Sequence, residues 1–341
     1  MRYVKLGWSG VKVSQICLGT WHLPPLREKD EYGVYKVDVE ETRRIVKRAI
    51  DLGINFIDTA NVYHGTMSGP DYIHAGNAER ILSDILKGYD RESLVIATKV
   101  RWRMAPWPNG EGLSRKHIRW QIRESLKRLG TSYVDLYQIH WPDPDTPKIE
   151  TLRALNELIE WGLVNYIGES NHPAHDIVEF MELAERHNLE PFTTMQEIYN
   201  ILVRDIERDK IPVAKRYGMA ILAYSPLAQG VLTGKYVDFN NRKWSTPSDS
   251  RAVISSGLQG YFNDRNLRVL LELNEIAKSK GATLSQVSLA WLIGMQERLG
   301  VTIIPIIGVT RLEQLEDNLG SLNVKLSQDD FNRIEEALKA Q

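Results

Sequence analysis

LVIATKVRWRMAPWPNGEGLSRKHIRWQIRESLKRLGTSYVDLYQIH, residues 94–140, is the stretch on which the fold turns. Leu94–Thr98 is a short, β-branched apolar run, the pattern of a buried strand. Ser114 then stands where a helix N-cap is expected, ahead of a helical pattern that runs to Leu129 and stops at Gly130. Val134–Ile139 repeats the first run. Strand, crossover helix and strand together make the unit of a parallel sheet.

The alternation extends in both directions. Further strands are predicted at Ile16–Leu18, Asn55–Ile57, Tyr166–Gly168, Thr193–Glu197, Ala220–Ala223 and Thr302–Ile306, which with the two above makes eight. Between and after them, helices are predicted at Val39–Leu52, Ala78–Leu86, Thr151–Trp161, Ala174–His187, Arg204–Tyr217, Asn266–Lys280, Leu284–Met295 and Leu312–Leu319. The first follows Asp38, with Glu41 three residues on, and ends at Gly53. A last helix, Ser327–Leu338, opens with a Ser-x-x-Asp box and has no strand after it. Eight strand-helix units predict an α/β fold closed as a (β/α)8 TIM barrel, expected to be one domain over residues 1–341. An open doubly wound sheet would more often carry a glycine-rich dinucleotide fingerprint after its first strand, and here that strand ends in Gly19-Thr20-Trp21. Tyr3–Leu6 and Val11–Ser14 flank Gly7-Trp8-Ser9-Gly10 and read as a β-hairpin plugging the N-terminal mouth.

Composition narrows the partners. A formal net charge of −1, with both signs mixed along the chain, gives no electrostatic footprint for nucleic acid or an anionic membrane. No apolar stretch approaches the roughly 20 residues that span a bilayer. Met1–Gly10 lacks the apolar core of a signal peptide, and the only cysteine, Cys17, lies in an apolar run. A small-molecule partner and a cytoplasmic location are expected; oligomeric state is not legible.

A barrel of this kind keeps its chemistry at the C-terminal ends of its strands. The residues that end the predicted strands are polar: Asp58 after Ile57, Lys99 after Thr98, His140 after Ile139, then Ser170-Asn171, Gln196 and Tyr224-Ser225. Singly, each has an ordinary explanation as a cap, a solvated strand end or a satisfied core group. Jointly, a lysine ending one buried strand and a carboxylate ending its neighbour point to a charge pair in a cleft.

With these segments in order along almost the whole chain, the sequence resembles the aldo-keto reductase family. Asn55-Phe56-Ile57-Asp58-Thr59-Ala60-Asn61-Val62-Tyr63 is similar to the segment that supplies that family's active-site aspartate and catalytic tyrosine. Ala97-Thr98-Lys99-Val100 and Leu136–Pro142 resemble the lysine and histidine segments. The resemblance implies a catalytic set of Asp58, Tyr63, Lys99 and His140 and a nicotinamide cofactor, NADP(H) in preference to NAD(H). It places the carboxamide against Ser170, Asn171 and Gln196, and the ring and pyrophosphate against Tyr224, Ser225, Pro226, Leu227, Gln229 and Gly230. The adenosine end falls to Gly308, Thr310, Arg311, Gln314, Asp317 and Asn318. Gly19, Thr20, Trp21 and Asp58 are expected at the cofactor as well, and Arg251 is expected to reach a phosphate. Two departures from the family stand out: the loop His64–Gly76 is longer than the usual glycine-rich turn, and Asp317 stands where Glu is common.

The implied reaction is reduction of an aldehyde or ketone to an alcohol. A free tyrosine titrates near 10 and is a poor acid at neutral pH. Lys99 beside Tyr63 is expected to lower that value, Asp58 to hold Lys99, and His140 to orient the substrate carbonyl. Trp21, Tyr63, His140 and Trp141 are expected to contact substrate, ahead of Trp102 and Trp107, which either add to the apolar wall or pack their own loop. Val231–Asp264 is long for a connection and reads as a mobile cover. The alternative function is a nicotinamide-binding redox sensor or regulatory subunit with slow turnover. A metal-dependent hydrolase would draw on His64, His74, His140, Asp143 and Asp145. The segment His140-x-x-Asp143-x-Asp145 has two prolines and no helical ligand spacing, and it leaves Lys99 unexplained, so no metal is expected.

Overall fold

The computed structural model describes residues 1–66, 72–246 and 256–339. Its first two strands, β1 (Tyr3–Lys5) and β2 (Lys12–Ser14), pair antiparallel as the expected hairpin. Leu6 and Val13 from this hairpin pack with Phe56, Val95, Leu136, Ala220 and Leu222, the lower side chains of the barrel interior. Gly7 has φ +61°, and a Cβ there would stand 2.3 Å from the Thr193 carbonyl oxygen, so only glycine lets the turn close on the barrel floor.

β3 (Cys17–Gly19) is the first barrel strand, and β4 (Pro25–Lys29) and β5 (Tyr35–Val37) form an antiparallel hairpin beyond it. The remaining barrel strands are β6 (Phe56–Asp58), β7 (Val95–Val100), β8 (Val134–Ile139), β9 (Val164–Ser170), β10 (Thr194–Ile198) and β11 (Ala220–Tyr224). After a small ribbon of β12 (Val237–Asp238) and β13 (Lys243–Trp244), β14 (Ile303–Ile307) completes the set. The eight pair in parallel and close in sequence order, β14 returning to β3 through Ile306↔Cys17 and Ile307↔Leu18. This is the expected (β/α)8 barrel. The observed strands overlap each expected run and in most cases extend one or more residues further toward the C-terminal rim.

Around the barrel stand α1 (Val39–Asp51), α2 (Asn77–Leu86), α3 (Arg115–Leu129), α4 (Lys148–Glu160) and α5 (Ala174–His187). They are followed by α6 (Lys210–Tyr217), α7 (Asp264–Lys280), α8 (Leu284–Leu299), α9 (Leu312–Gly320) and α10 (Gln328–Lys339). Asp38 and Ser114 cap α1 and α3 through side-chain bonds from the Glu41 and His117 amides, and Gly130 ends α3 at φ +65°. The Ser327–Asp330 box closes from both sides at the start of α10.

Two expectations need correction. The span Arg204–Tyr217 is not one helix but a turn at Asp205–Glu207 followed by α6. Pro212 is the reason: in a continuous helix its ring would meet the Arg208 carbonyl, whereas in the first turn of α6 it leaves no bond unmade. The β4–β5 hairpin, inside what reads as a loop, was also not expected. Its outer strand, Pro25–Lys29, is exposed throughout and carries no alternation to reveal it. Of the long segment after Val231, the described parts pack closely, with Trp244 and Phe262 rings 4.9 Å apart; Arg251 lies outside the described residues. Among the described residues no helix is long and apolar enough to cross a membrane.

Candidate active site

The pleat of the barrel builds the site. Side chains alternate across a strand, so every second residue faces the barrel axis. On β7 the inward row is Val95, Ala97, Lys99; on β6 it is Phe56, Asp58; on β11 it is Ala220, Leu222, Tyr224. Apolar members fill the floor and the polar ones form a layer above them. On β8 the same row is Leu136, Gln138, His140, so the apolar run hides one polar inward residue that the strand-end reading missed. Gln138 has room because Gly168 lies opposite, where a Cβ would stand 2.2 Å from Thr194 Oγ1 and 3.2 Å from Gln138 Cγ.

Lys99 is the centre of this layer and is fully buried. Its Nζ donates to Asp58 Oδ2 at 2.6 Å, to the Thr59 carbonyl at 2.9 Å and to the Tyr63 hydroxyl at 3.1 Å. All three ammonium protons are therefore used. Asp58 Oδ1 accepts from Gln196 Nε2 at 2.9 Å and Gln138 Nε2 at 3.3 Å. The Tyr63 and His140 rings meet edge to face at 5.7 Å. Sequence-separated Asp58, Tyr63, Lys99 and His140 are thus gathered at one point of the C-terminal rim.

Burial alone would push the Lys99 amine down, but Asp58 and then Tyr63 outweigh it and leave the net shift upward, so Lys99 stays charged. For Tyr63 the balance differs from the sequence expectation. Burial raises the phenol, Lys99 pulls it back, and Asp58 opposes Lys99; the outcome lies above the ordinary tyrosine value. Lys99 does lower the Tyr63 pKa, yet in this chain burial is the larger effect. Burial, with Lys99 and Arg101 adding, pushes His140 well below its usual range, so its ring is neutral at neutral pH.

The other expected residues sort into four groups. Ser170, Asn171, Gln196 and Tyr224 join one hydrogen-bonded arc: Tyr224 donates to Asn171 Oδ1 at 2.8 Å, Asn171 Nδ2 to Ser170 Oγ at 2.7 Å, and Ser170 Oγ to the Gln196 carbonyl at 2.8 Å. After β11, Ser225, Ala228, Gln229 and Gly230 all take positive φ (50°, 48°, 55° and 98°) around Pro226 and Leu227. Thr20 is buried and bonds the Asp58 carbonyl, while Gly19 is crowded by Ile306, leaving Trp21 about half exposed. Gly308 is open, Thr310 bonds Gln314, Arg311 stands at the N-cap of α9, and Asn318, in the last turn of that helix, is buried. Asp317 turns elsewhere, accepting from Thr283 and Gln286 at the start of α8. Trp102, ranked behind Trp21 and Trp141 as a pocket residue, sits 6.3 Å from His140 and 5.9 Å from Trp141, whereas Trp107 packs against Trp120.

Residues 15–339 match the family described as Aldo/keto reductase family. The chain belongs to the aldo/keto reductase family. Aldo/keto reductases are oxidoreductases that generally use a nicotinamide cofactor. A protein of Schizosaccharomyces pombe named as a voltage-gated potassium channel subunit beta is 36% identical over 339 residues, covering 98% of this chain and 92% of that protein. One named as an aryl-alcohol dehydrogenase, from the same organism, is 33% identical over 359 residues, covering 98% and 95%. The L-glyceraldehyde 3-phosphate reductase of Escherichia coli (strain K12) is 33% identical over 333 residues, covering 95% and 88%.

Proposed function

We propose that this aldo/keto reductase is an NADPH-dependent carbonyl reductase that converts aldehydes or ketones to alcohols in the cytoplasm. The observation that carries the reading is the single buried ammonium of Lys99, bonded at once to Asp58 and to the Tyr63 hydroxyl. The cofactor, when bound, supplies the hydride to the carbonyl carbon. Tyr63 holds the matching proton on its phenol oxygen and delivers it to the carbonyl oxygen. Lys99 stabilises the phenolate left behind, and Asp58 keeps Lys99 in place and charged. Neutral His140 donates a hydrogen bond that orients the carbonyl without competing as an acid. Trp21, Trp102 and Trp141 wall the mouth and favour flat, apolar carbonyl substrates.

The residues fit the cofactor on one feature of the backbone itself. Four left-handed positions within Ser225–Gly230, three of them not glycine, hold a strained turn of the kind that persists where amide groups gather round an anion. Arg311 makes no side-chain hydrogen bond or ion pair among the described residues and stands at a helix N-terminus, a combination suited to a 2′-phosphate. Replacing Arg311 by Ala is expected to weaken NADPH roughly ten- to a hundredfold, the value of a charge-assisted bond, and NADH far less. Titration of both cofactors by quenching of protein fluorescence tests this, and equal losses would remove Arg311 from the phosphate.

The upward shift of Tyr63 sets the pH dependence. The phenol is the acid, so it must be protonated, and a raised value keeps it so throughout the neutral range. The kcat/KM for reduction is expected to stay level from neutral pH upward and fall only above the ordinary tyrosine value of about 10. A fall centred between pH 6 and 8 would assign the proton to another group, by its ordinary value a histidine.

The potassium channel beta-subunit names among the relatives favour a second reading, a nicotinamide-binding regulatory subunit with slow turnover. A panel of aromatic and aliphatic carbonyls followed by NADPH absorbance separates the two. Steady turnover supports the reductase; tight NADPH binding with no turnover on the whole panel supports the regulatory subunit.

A further inference from the structure

The long loop after Tyr63 and the β4–β5 hairpin bring three metal-ligating side chains together, and carbonyl reduction uses none of them. Asp30 lies in the turn of the hairpin, where its Oδ1 accepts from the Tyr32 and Val34 amides at 2.9 Å each. That pins the carboxylate and leaves Oδ2 against His74 Nε2 at 2.5 Å. The His64 and His74 rings meet edge to face with centroids 4.5 Å apart. One ligand atom from each of Asp30, His64 and His74 lies within 4.8 Å of the other two. Thr66 donates its amide to His64 Nδ1 at 3.2 Å, which orients that ring and leaves Nε2 as the nitrogen open to an ion.

We infer that Asp30, His64 and His74 form a binding site for a divalent transition-metal ion of the zinc class. Two imidazoles and a carboxylate, with water in the fourth place, are a ligand set for tetrahedral zinc. Zinc bonds of about 2.0–2.2 Å put neighbouring ligands roughly 3.3 Å apart, so small side-chain movements bring these three donors to the required spacing. An ordinary Asp30–His74 hydrogen bond accounts for two of the residues but not for the oriented, nearly buried His64 at the same point. Of the set His64, His74, His140, Asp143 and Asp145 only the two first-named histidines take part, and no part of the catalytic layer is involved. Asp143 instead caps its own loop, accepting from the Leu113 amide and Thr146. Because His64 directly follows Tyr63, the ion would fasten the hairpin to the segment that carries Tyr63, as a clamp on the mouth.

The test is a titration of chelator-treated protein with Co2+ and then Zn2+, read by visible absorption and calorimetry. One Co2+ per chain with the intense bands of a four-coordinate ion, displaced by Zn2+, is expected. Asp30→Asn keeps an oxygen for the Tyr32 and Val34 amides and so preserves the turn, yet it should weaken Zn2+ at least tenfold. His74→Ala should weaken it at least as much, with circular dichroism confirming the fold. Absence of saturable binding by the wild-type chain overturns the site. So does unchanged affinity in Asp30→Asn, which does not depend on whether His74→Ala folds. Binding is read without turnover, so the site stands or falls independently of the reductase reading. Chelated protein is expected to keep any carbonyl reduction it shows, and loss of activity on chelation would overturn the clamp in favour of a chemical role for the ion.

Discussion

Tyr63→Phe is expected to lower turnover by about 10² to 10⁴-fold or more while leaving NADPH affinity nearly unchanged, because it removes the proposed acid and keeps the ring. The ring's edge contact with His140 and its place 4.7 Å from the Lys99 ammonium do not need the hydroxyl. The stability lost is that of one hydrogen bond from Lys99, on the order of 1 kcal/mol. Lys99→Met should abolish most turnover as well, yet it is the less clean variant. It strands the Asp58 carboxylate in a buried site, and removing one partner of a buried pair typically costs about 3–5 kcal/mol. Its melting temperature must therefore be measured beside its kinetics. If Tyr63 and Lys99 act as one unit, the double variant is hardly worse than either single one. Near-wild-type reduction by Tyr63→Phe across a carbonyl panel would show that the proton comes from elsewhere.

The second large effect concerns stability, just outside the barrel wall behind Lys99. Glu79 of α2 is fully buried, accepts from Thr98 Oγ1 at 2.6 Å, and pairs with Arg128 Nε of α3 at 2.6 Å. Thr98 points outward where its neighbour Lys99 points inward, so this pair anchors both helices to the strand that carries the site. Arg128→Ala leaves the Glu79 charge buried without its cation and is expected to cost about 3–5 kcal/mol in urea unfolding. Glu79→Leu combined with Arg128→Met removes both charges and should recover much of that loss. A single-variant cost below about 1 kcal/mol would mean that water reaches Glu79 once the arginine is gone.

The class of fold was legible because it depends on local signals repeated eight times. Each apolar run is followed by a helical pattern, with caps such as Asp38 and Ser114 that act over three or four residues. The four residues Asp58, Tyr63, Lys99 and His140 were legible for a related reason: each ends or follows a strand, and barrel strands all deliver their C-terminal ends to one rim. The residues proposed to face the cofactor come from the family resemblance rather than from spacing.

What the chain order could not carry was decided by closure of the barrel. Gln138 is one polar residue in an apolar run, and only pairing of β8 between β7 and β9, opposite Gly168, turns it toward Asp58. The upward shift of Tyr63 likewise depends on how much of the barrel wall surrounds it, since desolvation comes from atoms distant in sequence. Trp102 joins the mouth only because its loop folds back over His140. Asp30 meets His64 and His74 across 34 and 44 residues, brought there by a hairpin whose exposed outer strand has no periodicity to announce it. Sequence determined which short segments are strands or helices and which residues end them, because those choices are made within a few residues. The tertiary structure alone decided which ends meet, how dry they are and what charge they hold, because burial and distance are properties of the closed barrel.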